Sequence, residues 1–162
     1  MLVQNSVSTG ISFALLVASV GAAFAYVGGN PLSDAPWFGF LGGEVTPQLV
    51  QAAGLEEDHG VLVTLVREES PAEAAGLKGG NKMVDVAGTA FCVGGDQIIR
   101  INGQDLQGLT QLKDFRLHSK VGDTAVLTIL RDGKTSDVSV VLGKMPQDER
   151  DFTPAELQAA CK

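Results

Sequence analysis

Gly95-Asp96-Gln97-Ile98-Ile99-Arg100-Ile101-Asn102-Gly103 contains a strand and its stop. Gln97 to Ile101 is rich in β-branched side chains, and Asn102-Gly103 is a turn dipeptide that ends the run. Upstream, Val61-Leu62-Val63-Thr64-Leu65-Val66 reads as a second, buried strand. Downstream, Ala125 to Leu130 and Ser136 to Leu142 flank Arg131-Asp132-Gly133-Lys134, and Asp-Gly between two such runs signals a hairpin. The helices are announced by their caps. Ser70-Pro71-Ala72-Glu73 is a capping box with Pro in the first helical position, and Gly76 ends that helix after barely two turns. Thr46-Pro47 opens a short helix closed by Gly54. Leu109, Leu112, Phe115 and Arg116 fall at helical spacing and predict a helix over 109–118. Thr153-Pro154-Ala155-Glu156 predicts a last short helix in the tail. Many short strands with two or three short helices predict an α+β fold, a small and mostly antiparallel barrel or sandwich.

The 162 residues, 44% hydrophobic and 19% charged, suffice for one ordinary domain with appendages. A net charge of −7 and no Lys/Arg run argue against a nucleic-acid partner, which needs a basic face to displace counterions. From Ile11 to Val27 the chain is apolar, small or Ser, without a charge, and with its uncharged flanks it is just long enough to cross a bilayer as a helix. Residues 1–27 therefore read as a membrane anchor. A secretory signal is the alternative, with the apolar run as its core and Ala23-Phe24-Ala25 as a small-x-small cleavage site; kept uncleaved, the same run would still hold the chain in the membrane. The first ten residues carry no Lys or Arg, which speaks for the anchor, and the Gly/Ala/Ser content suits helix packing in lipid. The expected location is a single-pass membrane protein, with the side of the soluble body left open. Residues 28–36, GGNPLSDAP, are a linker by composition, 37–145 the globular body and 146–162 an acidic tail. Cys92 and Cys161, far apart, form neither a disulfide framework nor a CxxC motif, and Cys92 reads as a small buried apolar residue.

Taken in order, these pieces resemble a PDZ domain of the bacterial HtrA type. Trp37-Phe38-Gly39-Phe40 resembles that family's carboxylate-binding loop, and Ser70-Pro71-Ala72-Glu73-Ala74-Ala75-Gly76-Leu77 its SPAxxAGL helix. Gly95 to Gly103 resembles the GDxIxxxNG strand and turn. Val121-Gly122-Asp123-Thr124 with Leu130-Arg131-Asp132-Gly133 resembles the PGDxV…LRDG end. The resemblance covers residues 37–143. One departure is plain: Gly79-Gly80 and Gly94-Gly95 bracket an added segment over 81–93 that reads as a hairpin turning at Ala87-Gly88.

The resemblance implies capture of protein C-termini or extended peptides. Successive amides of Phe38, Gly39 and Phe40 would grip a terminal carboxylate, because glycine lets a ligand approach the backbone. Leu41, Gly42, Gly43, Glu44 and Val45 would offer a strand edge to the peptide. Leu112, Phe115 and Arg116, on the helix over 109–118, would line the opposite wall. No catalytic residue, cofactor or metal site is expected. GDSGG, GxSxG and HExxH are missing from the sequence, no GK[ST] follows Gly42-Gly43, Gly79-Gly80 or Gly94-Gly95, and His59 and His118 read as solvated. The first expectation is thus a non-catalytic, membrane-anchored peptide-binding adaptor. The alternatives are an accessory structural subunit of a larger membrane complex and a regulator in trans of a membrane or secreted protease.

Overall fold

The computed structural model describes residues 35–147 and 153–161. The apolar run over 11–27, most of the linker and the acidic cluster over 148–152 lie outside them. Among the described residues no helix is long and apolar enough to cross a membrane.

The chain opens with β1 (Pro36–Trp37) and β2 (Phe40–Glu44), followed by α1 (Pro47–Ala53), β3 (Val61–Val66) and α2 (Pro71–Ala74). A hairpin of β4 (Lys82–Val86) and β5 (Thr89–Val93) precedes β6 (Gln97–Ile101), β7 (Gln104–Asp105) and α3 (Leu109–His118). The chain then runs through β8 (Thr124–Arg131), β9 (Lys134–Val141), β10 (Gly143–Lys144) and α4 (Pro154–Ala160). The central antiparallel sheet has the order β2-β3-β6-β8-β9, with β7 pairing β6, and β1 pairs β10 beside it. This is a PDZ-like antiparallel β-sheet domain with a few short helices.

The local signals act as their chemistry dictates. Thr46 accepts the Leu49 N–H at the start of α1, and Gly54 at its end takes the left-handed conformation (φ 66°). Asp132-Gly133 turns β8 into β9 with both residues at positive φ.

Burial divides the interior in two. The main core joins Val61, Val63, Ile98, Leu106, Leu127, Ile129 and Val140, all fully buried, with α2 and α3 packed over it. Each such side chain contributes about 1.5–3 kcal/mol by leaving water. A smaller cluster forms where α1 and the β4–β5 hairpin cover the other side of the sheet: Val45, Leu49, Leu62 and Val93, flanked by Val84, Val86 and Phe91.

Asp96 is the buried charge in this scaffold, at 0% exposure. Its Oδ1 accepts Arg131 Nε at 2.5 Å and its Oδ2 accepts Arg131 Nη2 at 2.7 Å, a two-pronged pair. Oδ2 also accepts the Lys78 N–H (2.8 Å), and Arg131 Nη2 donates to the Gly76 carbonyl (2.8 Å). The hydrogen bond to Asp96 raises the pKa of Arg131 above its ordinary value, against the lowering effect of burial. One carboxylate thereby joins the end of α2, the start of β6 and the end of β8.

Helix α2 in turn positions the loop between β1 and β2. Ser70 caps α2 by accepting the Glu73 N–H, and its hydroxyl donates to the Arg67 carbonyl (2.6 Å). Gly39 lies directly against it, at φ +84°: a Cβ built on Gly39 would overlap the Ser70 side chain. Only glycine fits there, on both conformational and steric grounds.

The cysteines depart from the sequence reading. Cys92 and Cys161 form a disulfide, with Cα atoms 5.7 Å apart and 69 residues between them in sequence. Folding brings β5 and the end of α4 together, a proximity that their spacing in the chain could not reveal. Cys92 is indeed buried, but as half of a cross-link that fastens α4 to the hairpin.

Two outcomes follow for stability. Asp96→Ala leaves the Lys78 N–H without its acceptor and Arg131 with only the Gly76 carbonyl, and should cost about 3 kcal/mol in a urea titration, with Asp96→Asn costing less. Gly39→Ala should cost about 3 kcal/mol from strain and overlap together. Adding Ser70→Gly, itself a mild change at a helix cap, should recover on the order of 1 kcal/mol of that loss.

Candidate functional site: an open strand edge beside unpaired amides

Strand β2 pairs with β3 on one side and, among the described residues, with nothing on the other. Which of its groups face that open side follows from the register. The Arg67 N–H donates to the Gly39 carbonyl (2.8 Å), so Phe40 and Val66 form a wide pair whose own polar groups point away from each other. Val63 gives its N–H to the Asp96 carbonyl (2.8 Å) on the β6 side, so its partner Gly42 also turns its N–H and C=O to the open edge. The alternation survives because β3 contains a bulge: Leu41 opposes Leu65 and Gly42 opposes Val63, leaving Thr64 over. The Thr64 hydroxyl donates to the Leu41 carbonyl (2.9 Å).

The loop ahead of β2 is oriented by its carbonyls. Phe38 C=O accepts the Ala72 N–H (2.8 Å) and Gly39 C=O accepts the Arg67 N–H. The N–H groups of Phe38 and Gly39 have no partner among the described residues, although both residues are buried. Buried amides without partners are rare in folded chains. Together with the Phe40 N–H, they place three adjacent donors at the head of the open edge, the arrangement that binds an anion.

Apolar walls stand beside these donors. The Phe38 ring lies 5.5 Å from that of Phe40 and 6.3 Å from that of Phe115 on α3, centroid to centroid. Phe38 belongs to the main core at 5% exposure and forms the floor, whereas Phe40 and Phe115 are half-buried. Leu112 is likewise a core residue, at 7% exposure. Arg116 is half-buried on α3, with no ion pair among the described residues. Val45 lies past the last residue of β2 and packs into the smaller cluster with Leu49, because the chain there turns into the cap of α1. It belongs to the support of the strand and not to its edge.

The sequence reading placed Glu44 on the strand edge without its cap to α3, and left Leu109 out of the wall. Glu44 Oε2 accepts the Leu109 N–H (2.9 Å), capping α3, whose own cap residue Gly108 has no side chain to do so. Leu109 Cδ2 comes within 3.1 Å of where a Cβ on Gly42 would stand, so it lies close over the strand. The missing cap at Gly108 is a signal that a distant carboxylate is needed, but nothing in the sequence says which. Behind β2, the ring of Phe91 from the added hairpin packs on Gly43, so that hairpin supports the edge strand from its other face.

The comparisons identify the family and agree with the fold. A family model described as PDZ domain matches residues 39–142. Among curated proteins, the chain is 32% identical over 116 residues to a probable periplasmic serine endoprotease DegP-like of Pseudomonas putida (strain W619), covering 72% of this chain and 21% of that protein. A protein of the same description from Marinomonas sp. (strain MWYL1) is 28% identical over 141 residues, 87% of this chain and 27% of that protein. The chain thus spans between a fifth and about a quarter of these relatives' length. Among solved structures, the HtrA3 PDZ domain bound to a phage-derived ligand (FGRWV) superposes with a TM-score of 0.52 at 21% identity, over 66% of this chain and 84% of that one. The HtrA-type protease AlgW with decapeptide superposes with a TM-score of 0.55 at 22% identity, over 70% of this chain and 30% of that one. Fold, motif order and family model converge: the chain belongs to the PDZ domain family.

Proposed function

We propose that this protein is a membrane-anchored, non-catalytic module that captures the free C-terminus of partner polypeptides. The observation that carries the reading is the set of donors at Phe38, Gly39 and Phe40: the Phe38 and Gly39 carbonyls are engaged, and among the described residues their amides are unpartnered and an open strand edge follows at once. A peptide laid antiparallel to β2 would meet the outward groups of Phe40 and Gly42, and its carboxylate would reach the loop. Its last side chain would rest among Phe38, Phe40 and Phe115. The ligands named in the HtrA3 and AlgW structures, a pentapeptide and a decapeptide, are of the kind this site would take.

The disulfide supports an assignment of side. Cross-links of this kind persist in oxidising compartments and are rare in the cytosol. With the apolar run over 11–27 as an anchor, the PDZ body would lie on the extracytoplasmic face.

Titration of the full chain in detergent with FGRWV should give a Kd of roughly 1–100 μM, between about −8 and −5 kcal/mol. The same peptide with an amidated C-terminus should bind at least tenfold more weakly, since a charge-assisted hydrogen bond contributes about 1.5–3 kcal/mol. Phe40→Ala should weaken the acid form while leaving the fold intact. Equal affinity for acid and amide, or no binding across a broad C-terminal peptide library, would defeat the reading. For the assignment of side, protein taken from its native membrane should show no free thiol. Cys161→Ser should lower stability by about 4 kcal/mol on the chain-entropy account of a loop of this length. Two reactive thiols in the native material would overturn it.

A further inference from the structure

Among the described residues, the large hydrophobic side chains that stand exposed are Leu117 (71%), Val121 (46%) and Val141 (57%). They are far from random in position. The Gly122 N–H donates to the Leu142 carbonyl (2.8 Å), and Val121 and Val141 each lie one residue from that bond. Leu117 is in the last turn of α3, four residues before Val121.

The same region is where the chain enters the domain. Trp37 pairs with Gly143, and the Met145 N–H donates to the Ala35 carbonyl (3.1 Å), so Ala35 is held by the strand that continues from Leu142. Only eight residues, 28–35, separate Val27, the end of the apolar run, from this point. Fully extended they reach about 28 Å, so the patch stays close to whatever holds that run.

Charge points the same way. The chain carries −7 overall, yet residues 113–121 hold Lys113, Arg116 and Lys120 against one acid, Asp114. Lys113 and Lys120 are exposed, as is Lys144 on β10. Asp123, next to the patch, directs its carboxylate to the Lys120 N–H (2.8 Å). Apolar side chains ringed by long cations form the pattern of a surface that sits in a phospholipid interface, chains in the acyl boundary and cations at the phosphates.

We propose that Leu117, Val121 and Val141, with Lys113, Arg116 and Lys120 around them, dock this face of the domain onto the phospholipid surface beside its own anchor. The proposal rests on the anchored reading above.

The test uses the full chain reconstituted into vesicles of phosphatidylcholine, with or without phosphatidylglycerol at about 30 mol%. An environment-sensitive fluorophore is placed on Leu117→Cys, and separately on Thr135→Cys at the far end of β9; the native cysteines are closed in their disulfide. Emission at position 117 should rise roughly twofold and shift to the blue in the anionic vesicles, and position 135 should not change. With the reporter on Val141→Cys, adding Leu117→Asp and Val121→Asp should abolish the rise. Protein that floats with the vesicles while position 117 stays as wet as position 135 overturns the docking and leaves the anchor standing. Protein that does not float sinks both. A rise that follows protein concentration and ignores lipid composition overturns the proposal in favour of contact between copies.

Discussion

The buried carboxylate of Asp96 is the constraint on which the site depends. A charge at zero exposure is tolerable only when its oxygens are all engaged, and here Arg131 and the Lys78 N–H engage them. Satisfying Asp96 fixes the end of α2 against β6 and β8. Helix α2 then presents Ser70 to Gly39 and the Ala72 N–H to the Phe38 carbonyl. Once those contacts are made, the Phe38 and Gly39 amides have nowhere to turn but toward the strand edge. The donors of the proposed site are thus held from beneath by an ion pair that no ligand touches.

Much of this was legible in the sequence, for physical reasons. Short-range signals carry their own geometry: the caps at Thr46, Ser70 and Thr153 and the Asp132-Gly133 turn need only their neighbours to act. The Gly95-Asp96 and Leu130-Arg131 motifs could be recognised, but their sense as two halves of one ion pair becomes visible only when the strands lie side by side. That Phe38-Gly39-Phe40 heads an exposed edge could be expected from the resemblance. That its carbonyls are tied back, leaving the amides unspent, required the partners Ala72 and Arg67.

What stayed hidden depends on contacts between distant parts of the chain. The Cys92–Cys161 bond joins an added hairpin to a terminal helix, and neither residue's surroundings in sequence mark it for pairing. The bulge at Thr64 is similar. It appears only once β2 and β3 are in register, and it keeps the alternating groups of β2 facing the open side along the whole strand. Val45 was expected to continue the edge strand; the cap of α1 ends the strand one residue sooner.

The clasp between Glu44 and the first amide of α3 has a consequence for how any guest is judged. It ties one wall of the slot to the other at the end away from the amide loop, so opening the gap between strand and helix costs about 1 kcal/mol. Widening it would strip a helix terminus of its counter-charge. On the proposed peptide-binding reading, a guest that fits the opening as it stands avoids that cost, and discrimination among guests would fall mostly on how quickly a poor fit departs.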